Sequence, residues 1–368
     1  MTDIAVVGAG VVGLAFALAA ARQGFAVELF DKKHRPEKLL EASSNVLAIN
    51  SSSRRFLQEE GVWNLIQKNY KTPYSSMIVK DGTGMGAISF SAADMDLDEL
   101  GFIVDQKALL FALAKAADDQ TNLRVNWKTD FDSASVKVPL VVGSDGVHSN
   151  IRKQLRLRTI GFDYQQTATV CLAKVSKPHG NCARQWFLNS GPVAFLPLSD
   201  QLRVAVIWSS SSSKTSLGET RFLEELYRAS EGELGCISII GSRFEFPLRQ
   251  QQALQYVREG FALLGDAAHS VHPLAGQGAN LGLSDASVLV AALCAARVEG
   301  LQPGELSVLK RYEKQRRPDN YLTALAMEGF HRVFTSSSLW SRLLRNHGLR
   351  FVGRNSALKK LAVGFASN

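Results

Sequence analysis

The sequence predicts an α/β protein in which a parallel, helix-covered sheet is interleaved with a mainly antiparallel sheet and followed by a helical C-terminal segment. Residues 4–7 and 140–142 are short, wholly apolar runs that lead into glycine-containing turns and then helices, which is typical of buried parallel strands. Residues 202–208 alternate Leu, Val, Val and Trp with Arg, Ala and Ile, which indicates a sheet with one covered face. With 368 residues and 46% hydrophobic content, the chain can bury a core shared by two subdomains.

The first strand runs directly into Gly8-Ala9-Gly10-Val11-Val12-Gly13, and a helix then extends to about residue 23. In a Rossmann-like unit Gly8 permits the tight turn, Gly10 lets a pyrophosphate approach the backbone, and Gly13 lets the helix meet the strand. A second apolar strand ends at Asp31, which is placed to accept hydrogen bonds from an adenosine ribose. This order predicts a dinucleotide site that includes Gly8, Gly10, Val11, Val12, Gly13 and Asp31.

Another strand-to-helix turn lies near residue 265. Residues 261–264 form an apolar strand, and residues 279–297 are apolar almost all round, as in a helix inside a large core. Gly276 and Gly278 let backbone N–H groups approach a ligand at the N-terminus of this helix, where its dipole favours negative charge. The end of the strand and the start of the helix, each taken alone, would fit an ordinary turn with a capping aspartate. The combined spacing of the two favours a ligand-binding site.

This region resembles the signature of the FAD-dependent hydroxylases of ubiquinone biosynthesis, a branch of the class A flavin monooxygenases related to para-hydroxybenzoate hydroxylase. Its residues are Gly265-Asp266-Ala267-Ala268-His269, then His272-Pro273-Leu274-Ala275-Gly276-Gln277-Gly278-Ala279-Asn280-Leu281-Gly282, and finally Asp285. Every fixed position of that signature is occupied. Residues 140–152, with Asp145 and Gly146, resemble a second motif of the family, although a strand-turn-helix with an aspartate cap explains them equally well.

The resemblance implies a resident FAD, NAD(P)H as a transient reductant and O2 as the co-substrate of an aromatic-ring hydroxylase. Only one GxGxxG follows a strand, which agrees with a reductant that has no Rossmann domain of its own. No catalytic side chain is assigned because the flavin carries the chemistry, but His272 and Pro273 are candidates for positions beside it. The implied flavin contacts are Asn45, Gln106, Asp145, Gly146, Gly265, Asp266, Pro273, Gly276, Gln277, Gly278, Ala279 and Asn280.

The family commonly has an arginine at the position of Asn45, so we expect this chain to hold FAD less tightly than is common.

The resemblance covers nearly the whole chain and divides it into three parts. We expect an FAD-binding domain at residues 1–72, 100–157 and 256–328, and a substrate-binding domain at residues 73–99 and 158–255. A basic helical segment would follow at residues 329–368. The apolar run at residues 193–198 and the strand at residues 202–208 indicate a hydrophobic cavity that excludes water from the reaction. The expected substrate contacts are Phe195, Pro197, Val206 and Trp208.

The net charge of +8 is concentrated in the C-terminal segment. Residues 329–368 carry seven Lys and Arg and no Asp or Glu, which leaves a net charge of about +1 for the first 328 residues. These cations lie among aromatic and leucine side chains, so we expect contact with an anionic membrane or with other quinone-biosynthesis proteins. Packing as a solvated basic helix is the alternative for part of the segment. Nucleic acid is not an expected partner, because the rest of the chain supplies no basic groove.

The cysteines, Cys171, Cys182, Cys236 and Cys294, stand far apart, which argues against a disulfide scaffold or a zinc site and fits a reducing compartment. Residues 4–21 are apolar but lack a basic flank, and glycines interrupt them, so we do not expect an export signal. No other apolar run of spanning length is expected, which favours a cytoplasmic protein that is at most peripheral on the inner membrane face. We expect no metal, because His269 and His272 lack further ligands.

Three functions agree with these observations. The favoured one is hydroxylation of a polyprenylated phenol or benzoquinol precursor of ubiquinone. The second is hydroxylation of a small soluble aromatic, which predicts a polar pocket with Arg or Tyr anchors. The third is a catalytically impaired scaffold subunit, for which Asn45 and the short stretch at residues 122–139 are the supporting features.

Overall fold

A computed structural model describes residues 1–39, 41–82, 86–132, 137–211, 213–271 and 277–335 of the chain. At residues 277, 330, 331 and 333–335 only the backbone is described. Within these ranges the chain forms three sheets and seven α-helices.

The first sheet has six strands and is mainly parallel. Its strands are β1 (Ile4–Val7), β2 (Val27–Asp31), β8 (Leu123–Trp127), β9 (Leu140–Gly143), β15 (Val257–Arg258) and β16 (Phe261–Leu263). They follow the order β15-β16-β9-β1-β2-β8, and only the β15–β16 pair is antiparallel. The central strands β1 and β9 are buried, which explains why their sequences show no polar alternation.

Helices pack on the sheets, and all but the fifth contribute side chains to the core around this first sheet. They are α1 (Val11–Arg22), α2 (Ser51–Glu59), α3 (Gln106–Asp118), α4 (Asn150–Gln154), α5 (Glu219–Ala229), α6 (Gln277–Val298) and α7 (Leu306–Thr335). Short 3-10 turns occupy Trp63–Leu65, Lys68–Tyr70, Ala93–Met95 and Gly265–Ala267. Helix α1 is buried almost throughout, and Gly24, with φ of +86°, terminates it in the left-handed conformation.

Helix α6 corrects one expectation. Residues 278–298 are long and apolar enough to cross a bilayer by length and composition alone, with a mean hydropathy of 1.6. Half of this stretch is buried inside the protein, where α6 packs against α1 and α7. A core helix passes the same test, so its apolar sequence is explained by packing.

The second sheet has eight strands and is mainly antiparallel. Its strands are β5 (Ser76–Asp81), β6 (Ala87–Ser91), β10 (Thr159–Val175), β11 (Cys182–Leu188), β12 (Gly191–Pro197), β13 (Arg203–Ser210), β14 (Ile237–Ala253) and β17 (His269–Ser270). The order is β17-β14-β10-β13-β12-β11-β5-β6, and β5–β11 is the parallel pair. A small sheet, β3-β7-β4, is built from β3 (Val46–Ile49), β4 (Lys71–Tyr74) and β7 (Gly101–Asp105).

The two faces of the eight-stranded sheet pack against different partners. On one face, Trp186 and Trp208 form a core with Phe222 of α5. On the other face, Leu172 and Ala205 pack against the small sheet. Both faces of the eight-stranded sheet are therefore apolar, but one packs on α5 and the other packs on the small sheet.

The predicted fold class is confirmed, with a parallel α/β unit interleaved with a mainly antiparallel sheet. The predicted domain boundaries stay a prediction; the eight-stranded sheet takes its strands from residues 76–91 and 159–253 and adds His269–Ser270. All four cysteines are free thiols. Residues 336–368 of the predicted basic segment lie outside the described residues.

Candidate active site

A cavity of about 630 Å³ lies beside the carboxyl ends of β1, β9 and β16, against one face of the eight-stranded sheet. Its described walls include Gly10, Val11 and Val12 from the start of α1, and Gly278 and Ala279 from the start of α6. Open α/β sheets bind ligands outside the carboxyl ends of their strands. The N–H groups in the first turn of a helix have no intrahelical partner, so two converging helix N-termini favour a negatively charged ligand.

The glycine loop is built by close backbone packing. A Cβ on Gly8, whose φ is +104°, would lie 2.5 Å from the carbonyl oxygen of Ser144, and one on Gly13 would lie 1.9 Å from that of Gly8. The Ser144 hydroxyl is 2.8 Å from the Gly8 carbonyl oxygen and joins the loop to β9. At Gly10, in contrast, no heavy atom from the described part of the chain lies within 4 Å of the Cβ position. Gly8 and Gly13 shape the loop, while Gly10 leaves open space on its cavity side.

Asp31 ends β2 and holds the glycine loop. Its Oδ2 accepts a hydrogen bond from Ala9 N at 2.6 Å, and its Oδ1 accepts one from Lys33 N at 2.7 Å. Asp31 does not line the described cavity. Because a carboxylate has lone pairs beyond these two bonds, its role toward a ribose stays a prediction.

The second predicted motif, with Asp145 and Gly146, caps helix α4 and forms part of the cavity wall. Asp145 Oδ2 accepts from Asn150 N at 2.6 Å and caps α4, while its Oδ1 is buried with no hydrogen-bond partner among the described residues. Gly146, at φ +84°, lines the cavity and has no heavy atom within 4 Å of its Cβ position. Arg152 donates to the carbonyl oxygens of Ala267, at 2.7 Å, and Val147, at 2.6 Å. Arg152 therefore ties this motif to the turn after β16.

Asp266 is the acidic side chain of the cavity wall. Asp266 is exposed to the open cavity, although protein atoms crowd its carboxyl on the other sides. This crowding removes part of the hydration of the carboxylate and raises the pKa of Asp266, and the nearby His269 opposes the shift. Gly265, directly before it, has φ of +55° and packs on Val12.

Behind Asp266 lies a buried polar network centred on Asp285, which is fully buried. Asp285 Oδ2 lies 2.5 Å from His269 Nε2 and accepts from Gly265 N at 3.1 Å. Its Oδ1 accepts from Arg316 Nε at 2.9 Å and from Asn320 Nδ2 at 3.0 Å. The Asp285 carboxylate thus anchors the turn that contains Asp266 to both α6 and α7.

Asn45 and Gln106 both line the cavity, and their contact with the flavin stays a prediction. The Asn45 carbonyl accepts a hydrogen bond from Gln106 N at 3.0 Å, so the two predicted positions are adjacent. Asn280 is placed differently from the prediction. Its Nδ2 donates to Ala48 O at 2.8 Å and its Oδ1 accepts from Asn50 N at 3.1 Å, so this side chain braces the connection from β3 to α2.

The predicted substrate residues lie on the wrong face of the eight-stranded sheet. Phe195, Val206 and Trp208 are buried in the core against α5, and Pro197 shares the face of Phe195 on β12. The adjacent residue Ile207 lines the cavity. Successive side chains of a strand point to opposite faces of the sheet. Assigning the wrong alternate residues to the cavity therefore places all the predicted substrate contacts on the opposite face.

Some predicted positions cannot be placed. His272, Pro273 and Gly276 lie outside the described residues, as does the side chain of Gln277. The sequence patterns did not predict the remaining wall residues of the cavity. No sequence signal separates Val170 and Ile207 from the alternate positions of their strands, because both faces of the sheet are apolar. The missed wall residues are Ser44, Val46, Leu47, Ser144, Val147, His148, Val170, Ile207, Phe246, Pro247, Leu248, Arg249, Leu264, Ser270 and Val271.

The residues present fit FAD. Gly10, Gly146 and Gly278 line the cavity, and at each one no heavy atom of the described residues lies within 4 Å of the Cβ position. A pyrophosphate at Gly10 would meet the N-terminus of α1, and an isoalloxazine ring at Gly278 would meet that of α6. The fold and this site define an FAD-dependent aromatic monooxygenase.

Comparisons with known proteins agree. A family model described as an FAD binding domain matches residues 98–320, and one described as an FAD dependent oxidoreductase matches residues 3–71. The p-nitrophenol 4-monooxygenase PnpA from Pseudomonas putida DLL-E4 superimposes with a TM-score of 0.78 over 100% of this chain and 98% of its own. Its sequence is 18% identical, so this likeness shows the fold alone.

Two relatives narrow the family. The chain is 32% identical to the 3-demethoxyubiquinol 3-hydroxylase of Escherichia coli (strain K12), over 99% of this chain and 98% of that protein. It is 33% identical to the ubiquinone hydroxylase UbiL of Rhodospirillum rubrum, over 98% of this chain and 88% of that protein. The chain belongs to the FAD-dependent hydroxylases of ubiquinone biosynthesis.

Proposed function

We propose that this hydroxylase acts on a polyprenylated phenol or benzoquinol precursor of ubiquinone. The observation that carries the proposal is the cavity wall formed by the eight-stranded sheet, where Val170, Ile207, Phe246, Pro247 and Leu248 are all apolar. Such a wall suits a hydrocarbon-bearing ring and costs free energy for a carboxylate, which loses its hydration without a partner.

The charged side chains of the cavity also favour a prenylated phenol over a soluble aromatic acid. Among the described lining residues, Arg249 is the one Lys or Arg side chain. Its Nε lies 3.1 Å from Asp163 Oδ2, and both side chains are about half exposed. An arginine already paired in this way is a poor anchor for the carboxylate of a soluble aromatic acid.

When bound, FAD supplies the redox chemistry, in which NAD(P)H and O2 convert an aromatic C–H to C–OH with release of NAD(P)+ and water. The chain contributes binding and environment. Gly10 and its neighbours would hold the pyrophosphate, while the α6 N-terminus at Gly278 and Ala279 would stabilise negative charge on the reduced ring. The apolar wall at Val170 and Ile207 would keep water from the reacting ring.

Substrate preference tests this proposal directly. With the FAD-loaded protein, 2-prenylphenol should stimulate coupled NAD(P)H oxidation with a kcat/KM at least about tenfold above that of 4-hydroxybenzoate, because each buried CH2 contributes about 0.8 kcal/mol. Chromatographic detection of the hydroxylated product distinguishes turnover from futile reductant oxidation. A higher kcat/KM for 4-hydroxybenzoate would instead favour the soluble-aromatic function.

We also propose that the protein binds peripherally to anionic membranes. The seven cations of residues 329–368 support this, and the exposed side of α7 adds further groups. Tyr321, Leu322 and Leu325 are about half exposed there, next to a groove lined by Lys310, Lys314 and Arg317. Apolar and basic groups side by side are typical of an interfacial surface.

Vesicle co-sedimentation checks this binding. Replacing Arg342, Arg345 and Arg350 together by Glu should weaken binding to phosphatidylglycerol-containing vesicles by at least about a hundredfold, because each cation contributes about 1 kcal/mol. The matched control replaces the exposed Arg203, Arg221 and Arg228 by Glu. Binding that both triple variants retain equally would show that residues 329–368 do not carry the interaction.

A further inference from the structure

Two phenylalanines extend the cavity wall to the molecular surface. Phe246 lines the cavity and is 41% exposed, and Phe244, two residues away on β14, is 58% exposed. Phe244 pairs with Val170, which lines the cavity too, and Val170 pairs with Ile207 on β13. Paired residues of antiparallel strands share a face, so these four apolar side chains form one continuous strip.

The neighbours of Phe244 confirm this orientation. Arg243 reaches the opposite face, where its guanidinium lies 4.7 Å from the Phe222 ring of α5 and donates to Leu217 O at 2.7 Å. Glu245 also points there and accepts from Lys214 N at 2.7 Å. Because side chains alternate along a strand, Phe244 must face the cavity side.

The strip ends at an open edge. Strand β14 pairs with β10 along its length, and on its other side it pairs with β17 only at Gln251 and Gln252 among the described residues. Single exposed apolar side chains are common, but Phe244 and Phe246 continue an apolar cavity wall, and a contiguous apolar patch of this kind is typical of a ligand-binding groove. The apolar wall of the cavity therefore continues from Phe246 to the exposed side chain of Phe244 at this edge.

We infer that this strip is a subsite for the isoprenoid chain of the substrate, with Phe244 as the residue that senses chain length. The inference rests on the proposed function. The ring would occupy the cavity at Val170 and Ile207, while the chain would leave over Phe246 and Phe244.

A ligand series tests this subsite without turnover. The FAD-loaded protein is titrated with phenol, 2-prenylphenol, 2-geranylphenol and 2-farnesylphenol, and the Kd is read from the change in flavin absorbance. In the wild type the Kd should fall as isoprene units are added. Phe244→Ser should weaken 2-farnesylphenol about fivefold and leave phenol unchanged, because about half of one phenylalanine contact is lost. Phe244→Leu should keep the wild-type dependence on chain length.

Val298→Ser is the matched control, since Val298 is 88% exposed at the end of α6 and is not among the described residues that line the cavity. It should bind the whole series like the wild type. The subsite is refuted if Phe244→Ser keeps the wild-type dependence on chain length, or if it weakens phenol and 2-farnesylphenol equally. Failure of every prenylated phenol to bind the wild type would instead overturn the proposed function itself.

Discussion

Replacing Gly10 by valine is expected to weaken FAD binding at least about a hundredfold, equivalent to about 2.7 kcal/mol. The φ and ψ of Gly10, −73° and −179°, are extended and accessible to valine, and no atom of the described residues lies within 4 Å of the new Cβ. The fold therefore accepts the side chain, which instead fills the space through which a pyrophosphate approaches the backbone. Titration of the apoprotein with FAD, followed by flavin fluorescence, measures the effect.

Gly218→Val is the matched control for this variant. Gly218 also caps a helix, α5, without a side-chain cap bond, has a negative φ, and has no heavy atom within 4 Å of its Cβ position. Both apoproteins should unfold at similar temperatures, and only Gly10→Val should lose FAD. A wild-type Kd in Gly10→Val would show that FAD does not occupy this loop.

Arg316→Met is expected to reduce the free energy of unfolding by about 3–5 kcal/mol, because it leaves the fully buried carboxylate of Asp285 without its guanidinium partner. Urea unfolding of the apoproteins at neutral pH measures this loss. The control is Arg311→Met on the same helix. Arg311 forms an exposed pair with Glu299, at 2.6 Å, so its removal should change stability little. A loss below about 1 kcal/mol for Arg316→Met would contradict a stabilising role for the network.

The pH dependence gives a second readout. Burial alone would raise the pKa of Asp285, but His269 and Arg316 more than offset it and lower the value to about 2. A carboxyl whose pKa is lowered on folding stabilises the fold above its unfolded pKa, and this stability is lost as the pH falls from about 4 toward 2. In Arg316→Met the pKa of Asp285 should rise, so the stability difference from the wild type should narrow as the pH is lowered. A constant difference from pH 7 to 4 would mean that Asp285 is not the affected group.

The sequence alone determined the fold class, the glycine loop and the family. These features are local, because Gly8, Gly10 and Gly13 act within one turn and Asp31 follows at the end of the next strand. The signature that includes Asp266 and Gly278 is also one short segment. Backbone geometry at such turns restricts the residue type so strongly that spacing is sufficient to recognise it.

The tertiary structure decided which face of a strand forms the site. Val206 and Ile207 are both apolar, because one face of β13 packs on α5 and the other lines the cavity. Alternation reveals two faces but cannot say which one meets a ligand when both are covered. The sequence alone also could not identify the partners of Asp285, because they are distant along the chain. Arg316 follows it by 31 residues in another helix, and only the packing of α6 against α7 brings the charges together.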